Sequence, residues 1–253
     1  MLRELNAFYE SHGISPVGFR CASRTMCSAN SPRFTSAKAS HVGPAYEDGE
    51  LPRLLFLSLD SGSADPDPRQ RTAEAVRRQN LAMDVAALPK NKHWYRTHEL
   101  ALALLHQFKA SLTVADTRLY FAHVNSAKCC QNKDHRRQAD RTLFENCRRF
   151  IPGELCVLSP DIVVTQGGPA KDAILKSFVV QQHCVEAIEQ DRYKNDAHYE
   201  VGFIEVEPTK TSLWLHTYHP GDYGRFNPQR RYCWPLYADL VGSILAFSRH
   251  VTE

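Results

Sequence analysis

From Leu51 onward, short apolar runs alternate with longer amphipathic stretches. That alternation predicts a sheet of parallel strands covered by helices. Four runs predict buried strands: residues 53–59 (RLLFLSL), 118–124 (RLYFAHV), 161–165 (DIVVT) and 212–217 (SLWLHT). Helical periodicity falls between them. Residues 97–109 put Leu100, Leu104, Leu105 and Phe108 on one face. Residues 138–158 put Leu143, Cys147, Phe150, Ile151 and Leu155 at helical spacing, with Pro152 expected to kink or divide that helix. Residues 69–84 read as a polar helix, 169–180 as a helix after a Gly-Gly turn, and 235–248 as a closing helix. The first 50 residues show no sustained period beyond a short helix over 2–10, and residues 190–211 read as a loop or an outlying hairpin. The expectation is a three-layer α/β/α domain over 51–253 built on a central four-stranded parallel sheet. The irregular segment 1–50 would join it to make one compact unit.

Composition narrows the function classes. The 253 residues are 43% apolar and 23% charged, which excludes a disordered chain. No stretch approaches the ~20 apolar residues of a membrane helix, so no membrane role is expected. Residues 1–13 carry charges from Arg3 onward and no apolar core, and so read as no signal peptide. A cytoplasmic, reducing location follows as the expectation, and there the eight cysteines read as metal ligands, buried thiols or reactive thiols. The net charge of +3 is too mild to announce nucleic acid, but residues 128–149 hold seven basic against three acidic side chains.

In an open parallel sheet, ligands bind beyond the carboxyl ends of the strands. The residues expected there are Asp60-Ser61-Gly62, Asn125, Gln166-Gly167-Gly168 and His219-Pro220-Gly221. A carboxylate, an amide and an imidazole would meet at one edge. Each has a bland alternative: a turn former or helix cap for Asp60, a backbone partner for Asn125, a loop histidine for His219, a mere turn for the glycines.

Several of these segments resemble the uracil-DNA glycosylase superfamily, closest to its iron–sulfur family-4 branch. Asn125-Ser126-Ala127-Lys128-Cys129 resembles the N-V-V-K-C segment of that branch. Cys147, Phe150, Glu154-Leu155, Ser159-Pro160-Asp161 and Gln166-Gly167 resemble its C-x-x-F-…-E-L-…-P-x-V-I-V-A-L-G stretch, and His219-Pro220-Gly221 stands where the family has H-P-S. The first motif departs. Family 4 has G-E-A-P-G where this chain has Ser58-Leu59-Asp60-Ser61-Gly62, so Leu59 replaces the acid. Asp60 stands where the family-1 motif G-Q-D-P-Y carries its catalytic Asp, and Gly62 stands where that motif has a Tyr that excludes 5-methyl pyrimidines.

The resemblance implies a uracil-DNA glycosylase-like fold and a DNA N-glycosylase that flips a pyrimidine out of DNA and leaves an abasic site. Asp60 and His219 would be catalytic: Asp60 beside the sugar cation, His219 as donor to the departing base. Asn125 would read the base edge, Gly62 would leave room beside it, and Trp94 or Tyr95 would stack on it. A core role for Trp94 competes with that one. The base would be uracil or a bulky 5-modified pyrimidine, such as a modified cytosine of phage DNA, in repair or antiviral defence in a prokaryote. Tyr223 or Phe226 would enter the DNA, with Arg225, Arg230 and Arg231 on phosphates; a solvated basic loop is the competing reading. Cys21, Cys27, Cys129 and Cys147 would hold a [4Fe–4S] cluster, with zinc as the alternative metal and Cys130 as the alternative to Cys129. The spacing of five residues between Cys21 and Cys27, where the family usually has two, weakens the match. The partner would be DNA, the protein a monomer. A different function class stays open beside the enzyme: a catalytically inactive iron–sulfur module that binds or senses DNA, motivated by Leu59.

Overall fold

The computed structural model describes residues 1–29, 31, 33–132, 139–182, 200–208, 210–221 and 241. Seven strands form one mixed sheet in the order β1-β3-β2-β4-β7-β6-β5. They are β1 (His41–Val42), β2 (Leu54–Asp60), β3 (Phe121–Ala127), β4 (Ile162–Gln166), β5 (Val180–Gln182), β6 (Glu200–Glu207) and β7 (Lys210–Thr217). The expected four-stranded, purely parallel sheet is therefore corrected. The four apolar runs form β2, β3, β4 and β7, which pair in parallel. The sheet does not stop with them: β1 pairs antiparallel with β3 on one edge, and β6 and β5 continue antiparallel beyond β7 on the other. The physical reason is local. β6 needs only a tight return from β7, so the region read as loop or hairpin joins the main sheet. β1 is two residues long and carries no period of its own.

Alternation along the central strands separates two cores. Leu55, Leu57, Ala122, Val124, Val163 and Trp214 pack in one; Leu54, Phe56, Phe121, Ile162, Val164 and Leu215 pack in the other. Helix α4 (His93–Leu105) covers the second core through Leu100, Ala101, Leu104 and Leu105. It starts four residues before the expected start at 97 and ends at Leu105 rather than at 109. The first core takes residues from α1 (Leu2–Ser11), α3 (Ala73–Ala82), α5 (Arg141–Cys147), α6 (Ile151–Leu158) and α7 (Gly168–Leu175), with α2 (Arg24–Ser28) contributing Cys27. Pro152 stands in the first turn of α6, where its missing N–H costs nothing, and so divides the long helical pattern in two. The expected helix over 235–248 lies outside the described residues, Val241 excepted.

The N-terminal segment is held by buried polar contacts as well as by Leu5 and Tyr9. Lys128 and Glu154 form an ion pair with side chains 2% and 0% exposed. The Lys128 ammonium also donates to the Asn125 carbonyl at 2.5 Å. Glu154 accepts from the Tyr9 hydroxyl at 2.7 Å and from Ser40 Oγ at 3.2 Å. Buried Arg71 donates to the carbonyls of Ser36, Ala37 and Asp65. Replacing Lys128 with Met should lower stability by about 3–5 kcal/mol, because it strands a buried carboxylate. Urea denaturation measures this, and a shift below 1 kcal/mol would show the pair to be dispensable.

Candidate functional site

The carboxyl ends of the four parallel strands gather the polar residues. Ser58 of β2 pairs in register with Asn125 of β3, and Gln166 of β4 with Thr217 of β7. Asn125 is 7% exposed, and its side-chain amide makes no hydrogen bond among the described residues. Among the described residues, Ser61 Oγ and the indole N–H of Trp94 are buried polar atoms without a hydrogen-bond partner. His219 follows β7 by two residues and accepts on Nδ1 from the Gly221 N–H at 3.1 Å. Its ring stacks on His93, the first residue of α4, with centroids 5.8 Å apart and planes 25° apart. Arg96 of α4 donates to the Pro220 carbonyl at 3.1 Å and so pins the turn after His219 to that helix.

Asp60 closes β2, one strand (β4) away from the His219 turn. Its Oδ1 accepts from the Gly62 N–H at 2.9 Å and its other oxygen from the Ala139 N–H. Burial pushes the Asp60 carboxyl above its ordinary range, and these two N–H groups pull it partly back. Leu59 and His219 both approach Gly167. A Cβ placed on Gly167, whose φ is +93°, would lie 3.2 Å from Leu59 Cδ2 and 3.1 Å from His219 Cβ. Gly167 thus permits the close approach of two neighbours besides making the turn. At Gly62 a Cβ would meet nothing within 4 Å, so the space beside that position is open.

Trp94 packs edge-on against His123 at 4.8 Å and His98 at 5.4 Å, over Phe121, which makes it part of the second core's rim. Tyr95 is half-buried beside it. Tyr223, Arg225, Phe226, Arg230 and Arg231 lie outside the described residues. The basic run needs one correction: Lys128 is buried in its ion pair and offers no charge to a partner. Arg141 pairs with Glu145 at 2.7 Å, and Arg149 lies over the Phe150 ring.

Cys21, Cys27, Cys129 and Cys147 do come together. They line one cavity with Ile14, Phe19, Phe34, Leu143 and Phe150, while Cys130 turns away to the Gly62 carbonyl. The cavity nevertheless has only about 10 Å³ of room, enough for about one water. No group of three or more His, Cys, Asp or Glu is placed to hold a metal ion among the described residues. Burial, and then the neighbouring Cys147, Cys21 and Cys27, hold the Cys129 thiol well above its usual range; burial pushes Cys147 up to about 11. Cys129 and Cys147 are neutral thiols beside a nearly filled space, and the expected [4Fe–4S] set, or zinc in its place, does not fit it. Among the six described cysteines, iodoacetamide at pH 7.5 should label exposed Cys156 first, and Cys129 and Cys147 only after denaturation. Mass spectrometry of the labelled peptides checks the order; prompt labelling of Cys147 in the folded protein would contradict it.

Sequence reasoning passed over a second polar layer beneath Asn125. His123 Nε2 lies 2.9 Å from Ser58 Oγ, and Ser58 Oγ donates to Gln166 Oε1 at 2.6 Å. Gln166 Nε2 donates to Thr97 Oγ1 at 3.2 Å, and Thr97 Oγ1 donates to the His93 carbonyl at 3.0 Å. The available signal was the spacing of His123 and Asn125 by two in a strand, which puts both on one face.

Comparison with models of known families finds no match, and comparison with curated proteins finds none. No helix among the described residues is long and apolar enough to cross a membrane.

Buried imidazoles set an acid limit on stability. Removal from water lowers His41 to about 4 and His98 to about 3 from an ordinary 6.5. The unfolded chain therefore binds more protons than the folded one between those values and 6.5. Stability should rise with pH from about 4 to 6.5 and be lost as the pH falls through that window. Denaturant midpoints measured at half-unit steps check this, and a flat profile would contradict it.

Proposed function

We propose that this chain is a DNA glycosylase whose pocket at the carboxyl edge of β2, β3, β4 and β7 receives a pyrimidine extruded from DNA. The observation that carries the reading is the Asn125 amide. The residue is nearly buried, its side-chain amide has no hydrogen-bond partner among the described residues, and it lies two residues inside the carboxyl end of β3, toward the side where such sheets bind ligands. A base edge would satisfy both halves of the amide. Asn125 is the base-reading residue in this reading, and the open space at Gly62 leaves room for a substituent at pyrimidine C5.

The chemistry is displacement at C1′ of the sugar. Water adds to C1′, the C1′–N bond breaks, and its electron pair leaves with the base. Asp60 stabilises the sugar cation and orients the water, whose surplus proton passes to solvent or to the released base. His219 donates to the base oxygen as negative charge builds there, an effect worth roughly 2.7–4 kcal/mol of barrier. Extrusion itself costs a few kcal/mol, least for a mismatched or damaged base.

A second reading is a module that captures an extruded base without cutting it. Two observations favour it: Leu59, not an acid, lies beside the His219 turn, and both Asp60 oxygens are engaged by backbone N–H groups. Incubation with duplexes carrying uracil or 5-substituted cytosines, followed by scoring of abasic sites, separates the two. Asp60→Asn should cut product formation at least about a hundredfold and leave DNA affinity unchanged; Asn125→Ala should lose affinity for the base-bearing duplex. Product from Asp60→Asn at the wild-type rate would overturn the role of Asp60. Base-dependent binding with no abasic sites from any substrate would establish the capture reading.

A further inference from the structure

The geometry points to His123 as a second base-reading residue beside Asn125, one that accepts a hydrogen bond and so selects a pyrimidine of the cytosine class, with an exocyclic amino group. This rests on the pocket holding an extruded base, as proposed above. The direction of each hydrogen bond beneath Asn125 follows from counting protons. The 2.6 Å separation between Ser58 and Gln166 is an O–H···O distance, shorter than N–H···O bonds run, so the Gln166 oxygen faces Ser58 and the Ser58 proton points to it. The same orientation turns Gln166 Nε2 to Thr97 Oγ1, which accepts there because its own proton goes to the His93 carbonyl. A hydroxyl has one proton. Ser58 has spent its proton on Gln166, so at the 2.9 Å contact the imidazole must donate, from Nε2.

A neutral imidazole has one N–H, so Nδ1 of His123 is left as a bare acceptor. Removal from water keeps the ring in that neutral form. Nδ1 has no partner among the described residues, and the ring is steadied edge-on by Trp94 at 4.8 Å. His123 and Asn125 alternate on β3 and share its α4-covered face. The Asn125 amide can turn to suit either pyrimidine class. The His123 lone pair cannot: it pairs with the amino group of a cytosine and opposes the O4 of a uracil.

The test uses two single-site duplexes, with 2′-fluoro-deoxycytidine or 2′-fluoro-deoxyuridine placed opposite an unpaired gap. Fluorine at 2′ disfavours the sugar cation, so binding is read without cleavage, and the gap equalises the extrusion cost. The full chain should bind the cytidine duplex about tenfold tighter, the worth of one well-made hydrogen bond. His123→Phe should bring the ratio near one and leave the uridine affinity in place. Ser58→Ala, a milder change that frees the imidazole to move its proton to Nδ1, should narrow the ratio as well, an effect that lost packing alone does not produce. A wild-type preference for uridine, or an unchanged ratio in His123→Phe, would overturn the role of His123. Loss of nothing on either duplex in Asn125→Ala would instead overturn the pocket reading beneath it.

Discussion

One buried ion pair joins the parts of this molecule that matter to its site. Lys128 lies three residues beyond Asn125, and the chain turns so that its ammonium meets both Glu154 and the Asn125 carbonyl. Two opposite charges removed from water are no guarantee of stability, since desolvation offsets much of their attraction. They do fix position. Glu154 on α6 must also satisfy the Tyr9 and Ser40 hydroxyls, so the same carboxylate seats the N-terminal segment and the end of β3. The segment without sustained hydrophobic period finds its place through hydroxyls and one arginine as well as through scattered apolar side chains such as Leu5, Ile14 and Tyr46.

The central strands were legible because each is buried on both faces, and such strands appear as unbroken apolar runs. The sheet's extent was not. β1 is too short to show any pattern, and β6 mixes Gly202 and three glutamates into its apolar positions. Asp60 and Gln166 close their strands and His219 follows β7, as topology implies once the runs are identified, but Asn125 lies inside β3, two residues before its end, because that strand runs on to Ala127. Their partners do not follow from topology. Ser58, His123 and Gln166 stand inside or at the end of apolar runs, where a lone polar residue gives no sign that it belongs to a chain of hydrogen bonds crossing three strands. Lys128 shows the converse failure: counted with a basic run, it lies under 3% exposed. The resemblance implied four thiols around a metal; they line one narrow cavity instead, and neither the little space left there nor the protonation of Cys129 is written in the sequence.

The thiol-lined cavity and the polar floor lie on opposite faces of the sheet and share β3. Cys129 follows the strand two residues after its last member, and Lys128 offers its backbone N–H to Cys147 Sγ at 3.3 Å while its side chain holds the Asn125 carbonyl. Lys128 therefore touches both the thiol-lined cavity and the main chain of Asn125.

In the proposed reading, the site divides into a half that would recognise and a half that would react, and they are built differently. The recognising half is closely determined: His123, Ser58 and Gln166 each have one allowed proton arrangement, and the chain of hydrogen bonds ends at the residue stacked on His219. The reacting half rests on His219 and on Asp60, whose oxygens already accept two backbone N–H groups. A carboxylate with two such donors keeps lone pairs to spare, so it can still orient a water. It gains that role only when a substrate displaces the solvent around it, because burial already raises the cost of its charge. On that reading recognition is set before any ligand arrives. Catalysis would have to be completed by the ligand, and for this reason the glycosylase and the capture module share every residue of the site except in what they ask of Asp60 and His219.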